Sequence, residues 1–367
     1  MPYITSMTTA VLTAPRSEFA APAPAPRVSD DAAMIREAAK LTRDLNVPNG
    51  AIYWGDLLAS AVLGYAALAV AILAAPLWLT LAAGVVAVLA LYRAGSFIHE
   101  LTHLKPSAVP GFRTGWNLLL GVPLLVPSFL YEGVHNLHHA RTRYGTADDP
   151  EYLPLALMKP VTLLVFIGVS AIAPVVLLLR FGVIAPLSLL IPGLRRAVVE
   201  RYSALSINPA FRRKAPEGAV ARDWAVWETL ASIWAIALLT MLATGVIAPR
   251  SFAILLVVAS GVAVLNQVRT LVAHLWENDG DPISVTAQYL DTVNVPPPGL
   301  LPALWAPVGL RYHALHHLLP GVPYHSLGEA HRRLAAGLPQ GSAYHASNHA
   351  GLSGLVKRLV AGTMRAR

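Results

Sequence analysis

Uncharged apolar runs, short turns and polar stretches dense in histidine alternate along this chain. Residues 57–75 carry no charge, and at about 1.5 Å of rise per residue a helix of that length crosses the roughly 30 Å hydrocarbon layer of a bilayer. Pro76 interrupts, and a second apolar run continues from Leu77 to about residue 97. The link between the two is uncharged, whereas Arg93, Lys105 and Arg113 flank the far end. The positive-inside bias therefore makes the pair a hairpin with its tip outside and both ends in the cytoplasm. Residues 227–247 and 251–272 repeat the pattern as a second hairpin with a very short outer turn.

Two stretches resist this reading. Residues 116–131 are apolar but short and broken by Gly121, Pro123 and Pro127, which places them at the interface. Residues 158–193 are long and apolar but contain Arg180 and prolines at 160, 174, 186 and 192. If all the histidine stretches share one face, the chain crosses an even number of times between His139 and His274, and the second hairpin already supplies two crossings. Two more full passes need about forty residues plus a turn, so 158–193 reads as a surface or re-entrant segment. The fold class predicted is an all-α integral membrane protein: four transmembrane helices in two hairpins, interfacial helices, and a cytoplasmic histidine-rich metal cap.

Outside the spans, residues 1–28 read as a flexible tail, with alternating Ala and Pro over 21–26 suited to an extended linker. No uninterrupted apolar stretch precedes that tract, which argues against a signal peptide. Ser29, Asp30 and Asp31 can cap a short amphipathic helix to about residue 45. The organisation is then an N-terminal tail and helix over 1–50, a membrane domain over 51–335 and a C-terminal cytoplasmic tail over 336–367. A helix near 352–366 lies within that tail. Both termini are expected in the cytoplasm, and a cell inner membrane is the expected location.

Composition agrees with the membrane reading: 55% of residues are hydrophobic and 13% charged. The net charge of +8 comes from basic residues flanking the spans, with no basic patch interleaved with aromatics, so no nucleic-acid partner is expected. The chain has no cysteine. That excludes disulfides, thiolate catalysis and cysteine-held iron–sulfur or zinc sites, and any redox chemistry needs nitrogen or oxygen ligands and external electrons.

Nine of the 13 histidines fall near span ends. His99 and His103 stand one helical turn apart after the second span, His274 follows the last span, and two H-x-x-H-H arrays comprise His135, His138, His139 and His313, His316, His317. Imidazole is a preferred ligand of iron, zinc and copper, and in each array all three side chains can aim inward from a single turn. A lone histidine at a membrane boundary is an ordinary interfacial residue, and His331, His345 and His349 are read as surface residues of the tail. His325 is either a neighbour of the third cluster or a surface residue. Two complete arrays are too specific for that bland account. A competing motif is His99-Glu100-Leu101-Thr102-His103, the H-E-x-x-H of an intramembrane zinc protease, with Asp279 or Asp281 as a third ligand. A mononuclear zinc site saturates at about four ligands, which leaves most of the histidines unused. A metal transporter is a non-enzymatic alternative, but its ligands belong near the bilayer midplane.

The three boxes, with Tyr144-Gly-Thr and Asp149-Pro-Glu after the second and Leu318-Leu-Pro-Gly after the third, resemble the membrane fatty acid desaturase superfamily over roughly residues 50–335. The resemblance implies two iron ions held by His99, His103, His135, His138, His139, His274, His313, His316 and His317, with molecular oxygen as co-substrate. It implies an oxygen-dependent fatty acyl desaturase, with hydroxylase or acetylenase activity of the same superfamily as the alternative. The substrate would be an acyl lipid, acyl-CoA or acyl-carrier protein. Some members carry an asparagine one turn before the histidine that ends the last span, contacting the metal through water; Thr270 stands there in this chain, and Asn266 lies one turn further away. Asp148, Asp149, Glu151, Asp279 and Asp281 are candidates to accept the outward ring N–H groups of the ligands. Without cysteine or a haem-binding domain, the resemblance implies a separate ferredoxin- or cytochrome-type electron donor, for which the basic stretch 195–222 is a candidate dock.

Overall fold

The computed structural model describes residues 28–365; the expected flexible tail with its Ala-Pro tract lies outside them, apart from Val28. In chain order the helices used below are α1 (Ala32–Leu41), α2 (Gly50–Leu73), α3 (Leu77–His103), α4 (His135–His138), α5 (Pro160–Ser188) and α6 (Pro192–Arg201). There follow α7 (Gly218–Ala243), α8 (Pro249–Leu271), α9 (Val285–Asp291), α10 (His313–Leu318), α11 (Leu327–Gly337) and α12 (Leu352–Arg365). No strand is present among the described residues, only isolated bridges such as His274 with Thr292.

α2 and α3 form the first hairpin through small residues. Ala61, Gly64, Ala67 and Ala71 on one helix and Ala83, Ala87, Ala90 and Ala94 on the other are buried, in the close-packing mode that membrane helices use without a hydrophobic driving force between them. A methyl group added at Gly64 would lie 2.7 Å from Leu91, so this approach requires glycine. Large apolar side chains such as Leu63, Leu73, Leu81 and Val85 point outward, which suits contact with lipid. α8 meets α3 in the same way, where Gly261 abuts Val88.

Residues 158–193 depart from the expectation. They contain one helix, α5, which makes five helices long and apolar enough to cross a membrane by length and composition, where the sequence reading counted four. The prolines do not break it. Pro160 sits at the first helical position, where no N–H is needed. Pro186 follows a π-helical turn, Arg180–Ile184, which widens the backbone where the ring would otherwise clash with the carbonyl four residues back.

Both flanks of α5 nevertheless stay at the histidine end. Before it, the Ala156 N–H donates to the Trp276 carbonyl at 3.3 Å; after it, the N–H groups of Ile207 and Asn208 donate to the Pro150 carbonyl at 2.9 and 3.0 Å. At the end of the 20-residue stretch Pro160–Leu179, Arg180 still reaches the Tyr202 carbonyl at 3.1 Å and Ser203 Oγ at 2.8 Å. A helix standing straight across would have carried it about 30 Å away. α5 therefore leaves the histidine end obliquely, and with the short return α6 the chain comes back to that end. The excursion is pinned by a buried ion network in which Glu228 of α7 takes Arg180 on one oxygen and Arg195 on the other, each at 2.7 Å.

At the histidine end, the N- and C-terminal segments pack into one cap. Met34 and Ala38 of α1, Leu315 of α10, and Leu327, Ala330 and Leu334 of α11 share a core with Tyr289 and Tyr344. His331 belongs to this packing: it is buried, with Nδ1 2.8 Å from the Tyr344 hydroxyl. His345 and His349 are half-buried. These three are thus not the free surface residues the sequence suggested, because the amphipathic helix α11 and the turn at Tyr344 lie against the cap. α12 buries Leu355 and Leu359, and Gly362 abuts the Ala156 carbonyl.

Glu228→Gln strands two arginines in an apolar setting and is expected to cost about 3–5 kcal/mol of stability, whereas the same change paired with Arg180→Met costs less. Thermal unfolding in detergent checks this; equal melting of both variants and the parent would show that the network does not pin α5.

Candidate metal centre

All nine histidines named from the sequence converge, but they do not form one constellation. Their ligating nitrogens fall into two groups, each with its atoms within 4.8 Å of one another: His99, His103, His135, His139 and His316; and His138, His274, His313 and His317. Helix geometry explains the division. Positions i and i+4 lie on one face, while i+3 is turned about 100° from i+4. His135 and His139 therefore enter the five-membered group and His138 the other; His313 and His317 enter the four-membered group and His316 the other. The two arrays exchange their i+3 members, which stitches the groups together. His139 and His317, one from each, stack with ring centroids 4.1 Å apart.

Within the groups, Nε2 atoms approach closely: 2.9 Å for His135–His139, 3.1 Å for His103–His316, 3.1 Å for His274–His313 and 3.2 Å for His313–His317. Nitrogens about 2.0–2.1 Å from one first-row ion lie about 3 Å apart in its shell. His99 has both ring nitrogens buried with no hydrogen-bond partner, and His316 Nδ1 is likewise unpartnered. Burial and the surrounding imidazoles push His139, His316 and His317 well below the ordinary imidazole pKa, which keeps them neutral and able to ligate. An all-imidazole donor set of this size fits two ions of the iron, zinc or copper type.

The outward faces of the rings are held by other groups. His138 Nδ1 donates to Asp149 at 2.9 Å and His135 Nδ1 to Glu151 at 3.0 Å. Burial lowers the proton affinity of His138, yet Asp149, Glu151 and Asp291 together raise it above the ordinary value. Tyr144 accepts from His274 Nδ1 and donates to Asp291, both at 2.8 Å. Each contact leaves an Nε2 lone pair facing inward, the tautomer that metal ligation needs. His313 differs, since its Nδ1 faces Arg269 Nη2 at 3.0 Å.

Of the supporting residues named from the sequence, Asp149 and Glu151 reach the site. Asp148, Asp279 and Asp281 are exposed and touch no histidine of either group, because their loops turn them to solvent. Asn266 and Thr270 line a cavity beside the histidines but hydrogen-bond none of them. His325 lies apart, accepting from the Asn49 N–H at 3.1 Å. Tyr144, Asp291 and Arg269 were missed. Arg269 carried a readable signal, an arginine inside an apolar span; Asp291 carried none.

Residues 72–348 match the protein-family model described as Fatty acid desaturase. The chain belongs to that family. It is also 48% identical over 326 residues to a ceramide hydroxylase of Caulobacter vibrioides (strain NA1000 / CB15N), a match covering 89% of this chain and 93% of that protein. No solved structure matches it. As a member of a membrane family with several long apolar helices, it is an integral membrane protein, with the histidine groups at one end of those helices.

Glu100, the acid of the H-E-x-x-H motif, stands beside His99 with Oε1 4.0 Å from its Nδ1, beyond hydrogen-bond range. Its Oε2 accepts from the Tyr53 hydroxyl at 2.5 Å and from the Tyr324 N–H at 3.2 Å, so it does not stand as a base beside a metal-bound water. A cavity of about 410 Å³ opens on the other side, with His99, His135, His138, His274 and His313 at one end and apolar residues such as Phe166 and Leu177 beyond. This is the volume of a small-molecule site, and both histidine groups face it.

Loss of an outward partner typically weakens metal binding about 10–100-fold. Asp149→Asn and Tyr144→Phe are each expected to do so in chelator competition; unchanged affinity in both would mean the rings are oriented by packing alone.

Proposed function

We propose that this protein is an oxygen-dependent membrane lipid hydroxylase that uses a histidine-held di-iron centre and acts on a ceramide-type substrate. The observation that carries the reading is the opening of both histidine groups onto one largely apolar cavity among the membrane helices. The choice of hydroxylation over the desaturation first expected from the sequence draws on the similarity to a ceramide hydroxylase.

In this reading His99, His103, His135, His139 and His316 hold one iron, and His138, His274, His313 and His317 the other. The iron pair supplies what no side chain can, the oxidation of an unactivated C–H bond by molecular oxygen. One oxygen atom enters the substrate and the other leaves as water, with two electrons and two protons taken up. The protein's own work is positional. Asp149, Glu151 and the Tyr144–Asp291 pair fix the rings, and the cavity walls orient the chain and exclude water.

The electrons come from a separate acidic donor of ferredoxin or cytochrome type. Within the basic stretch Arg195 is occupied by Glu228, and Arg213 by the carbonyls of Phe129, Ser203 and Glu132. Arg201, Arg212, Lys214 and Arg222 remain exposed and support docking there. The same distribution of positive charge supports a cytoplasmic histidine face and cytoplasmic termini in the inner membrane. Glu100's bonds to Tyr53 and Tyr324 speak against the protease, and ligands gathered at span ends speak against a transporter.

Membranes containing the protein, given a saturated ceramide, a reductase system and isotopically labelled oxygen gas, are expected to yield product carrying one labelled oxygen atom. A product with a new double bond and no label would overturn hydroxylation and restore the desaturase reading.

A further inference from the structure

The cavity is not uniformly apolar: Ser96, Tyr131, Glu151, Ser170 and Ser206 reach it from separate elements, and α8 alone contributes a run of polar positions. Along the cavity-lining side of α8 come Ala259, Val262 and Ala263, then Asn266, Gln267, Arg269 and Thr270, with His274 just beyond the helix. At about 1.5 Å per residue, the polar positions fall roughly 6–12 Å before His274. Among the described residues, the side chains of Asn266, Gln267 and Thr270 make no hydrogen bond within the protein, although they lie on a helix apolar enough to span a membrane. Polar side chains in such a helix are costly and mark substrate or ion paths. Arg269 lies with Nη2 3.0 Å from His313 Nδ1 and also lines the cavity.

Resting on the hydroxylase reading above, we propose that this polar collar grips the amide and hydroxyl end of the substrate, so that oxygen enters at a carbon only a few bonds from that end. The hydrocarbon chain then runs outward between α5 and α8, past Val169, Ala173 and Leu177. Asn and Gln each offer donors and an acceptor, which matches a group that both donates and accepts, such as an amide or a hydroxyl. A phosphate would call for more than the single guanidinium that lies beside His313. A carbon midway along the chain could reach the histidines only with methylenes lying against the collar and its polar groups unpaired. The collar therefore selects position as well as substrate.

The test uses the full-length protein with a saturated ceramide, the added oxygen being located by fragmentation mass spectrometry. Oxygen within a few carbons of the amide or head-group hydroxyls supports the proposal. Oxygen near mid-chain or towards the methyl end overturns it and leaves the hydroxylase reading intact, while a double bond without oxygen overturns that reading itself. The double variant Asn266→Leu/Gln267→Leu, which touches no histidine, is expected to raise KM for ceramide about tenfold with metal content unchanged; an unchanged KM and product position would contradict the collar. Binding provides a readout without turnover. Quenching of tryptophan fluorescence, with Trp116 in the cavity wall, should show about tenfold tighter binding of ceramide than of a hydrocarbon of equal length, and the variant should lose the difference. Equal binding by the parent protein would also overturn the proposal.

Discussion

An imidazole nitrogen buried with its lone pair facing another lone pair costs free energy unless something stands between them. This protein gathers nine imidazoles in two groups, with Nε2 atoms as close as 2.9 Å. In three of the nine, contacts from Asp149, Glu151 and the Tyr144–Asp291 pair place the ring proton on the outward nitrogen and so expose the lone pair inward. The rest of the fold answers to that requirement. Every element that delivers a histidine ends, turns or caps at one level, and α1, α11 and α12 close over that level from outside.

The membrane scaffold supplies rigidity where the histidines leave it. Small residues along the α2–α3 seam fix the helix end that carries His99 and His103, and Gly261 against Val88 ties α8, which leads into His274, to the same helix. α5 serves a different end. By running obliquely and returning to the histidine level, it walls one side of the cavity. Arg180, which looks out of place in an apolar run, is the residue that holds this arrangement through Glu228.

Much of this was legible in the sequence. The uncharged apolar runs and the placing of the histidines at their ends gave the two outer hairpins and the shared level of the clusters. The division into two groups followed from the same spacing, because i+3 and i+4 side chains diverge by about 100°, but an array read as one aim conceals it. The single helix over Pro160–Ser188 was hidden by its prolines: Pro160 sits at the first turn, Pro186 follows a π turn, and Pro174 lies inside the helix, as membrane helices tolerate. Asp149 was readable because it follows an array closely. Asp291 was not: it reaches His274 only through Tyr144, a contact made between residues far apart in the chain. The burial of His331 likewise depends on tertiary packing against Tyr344.

Metal content tests the central claim most directly. Full-length protein purified in detergent from iron-supplied cells would be assayed beside His103→Ala and His317→Ala, which remove one ligand from each group. The account predicts about two irons per chain in the parent and a loss of about one in each variant, from different sites. A single zinc per chain that survives both substitutions would contradict it, since neither histidine group would then be holding the metal.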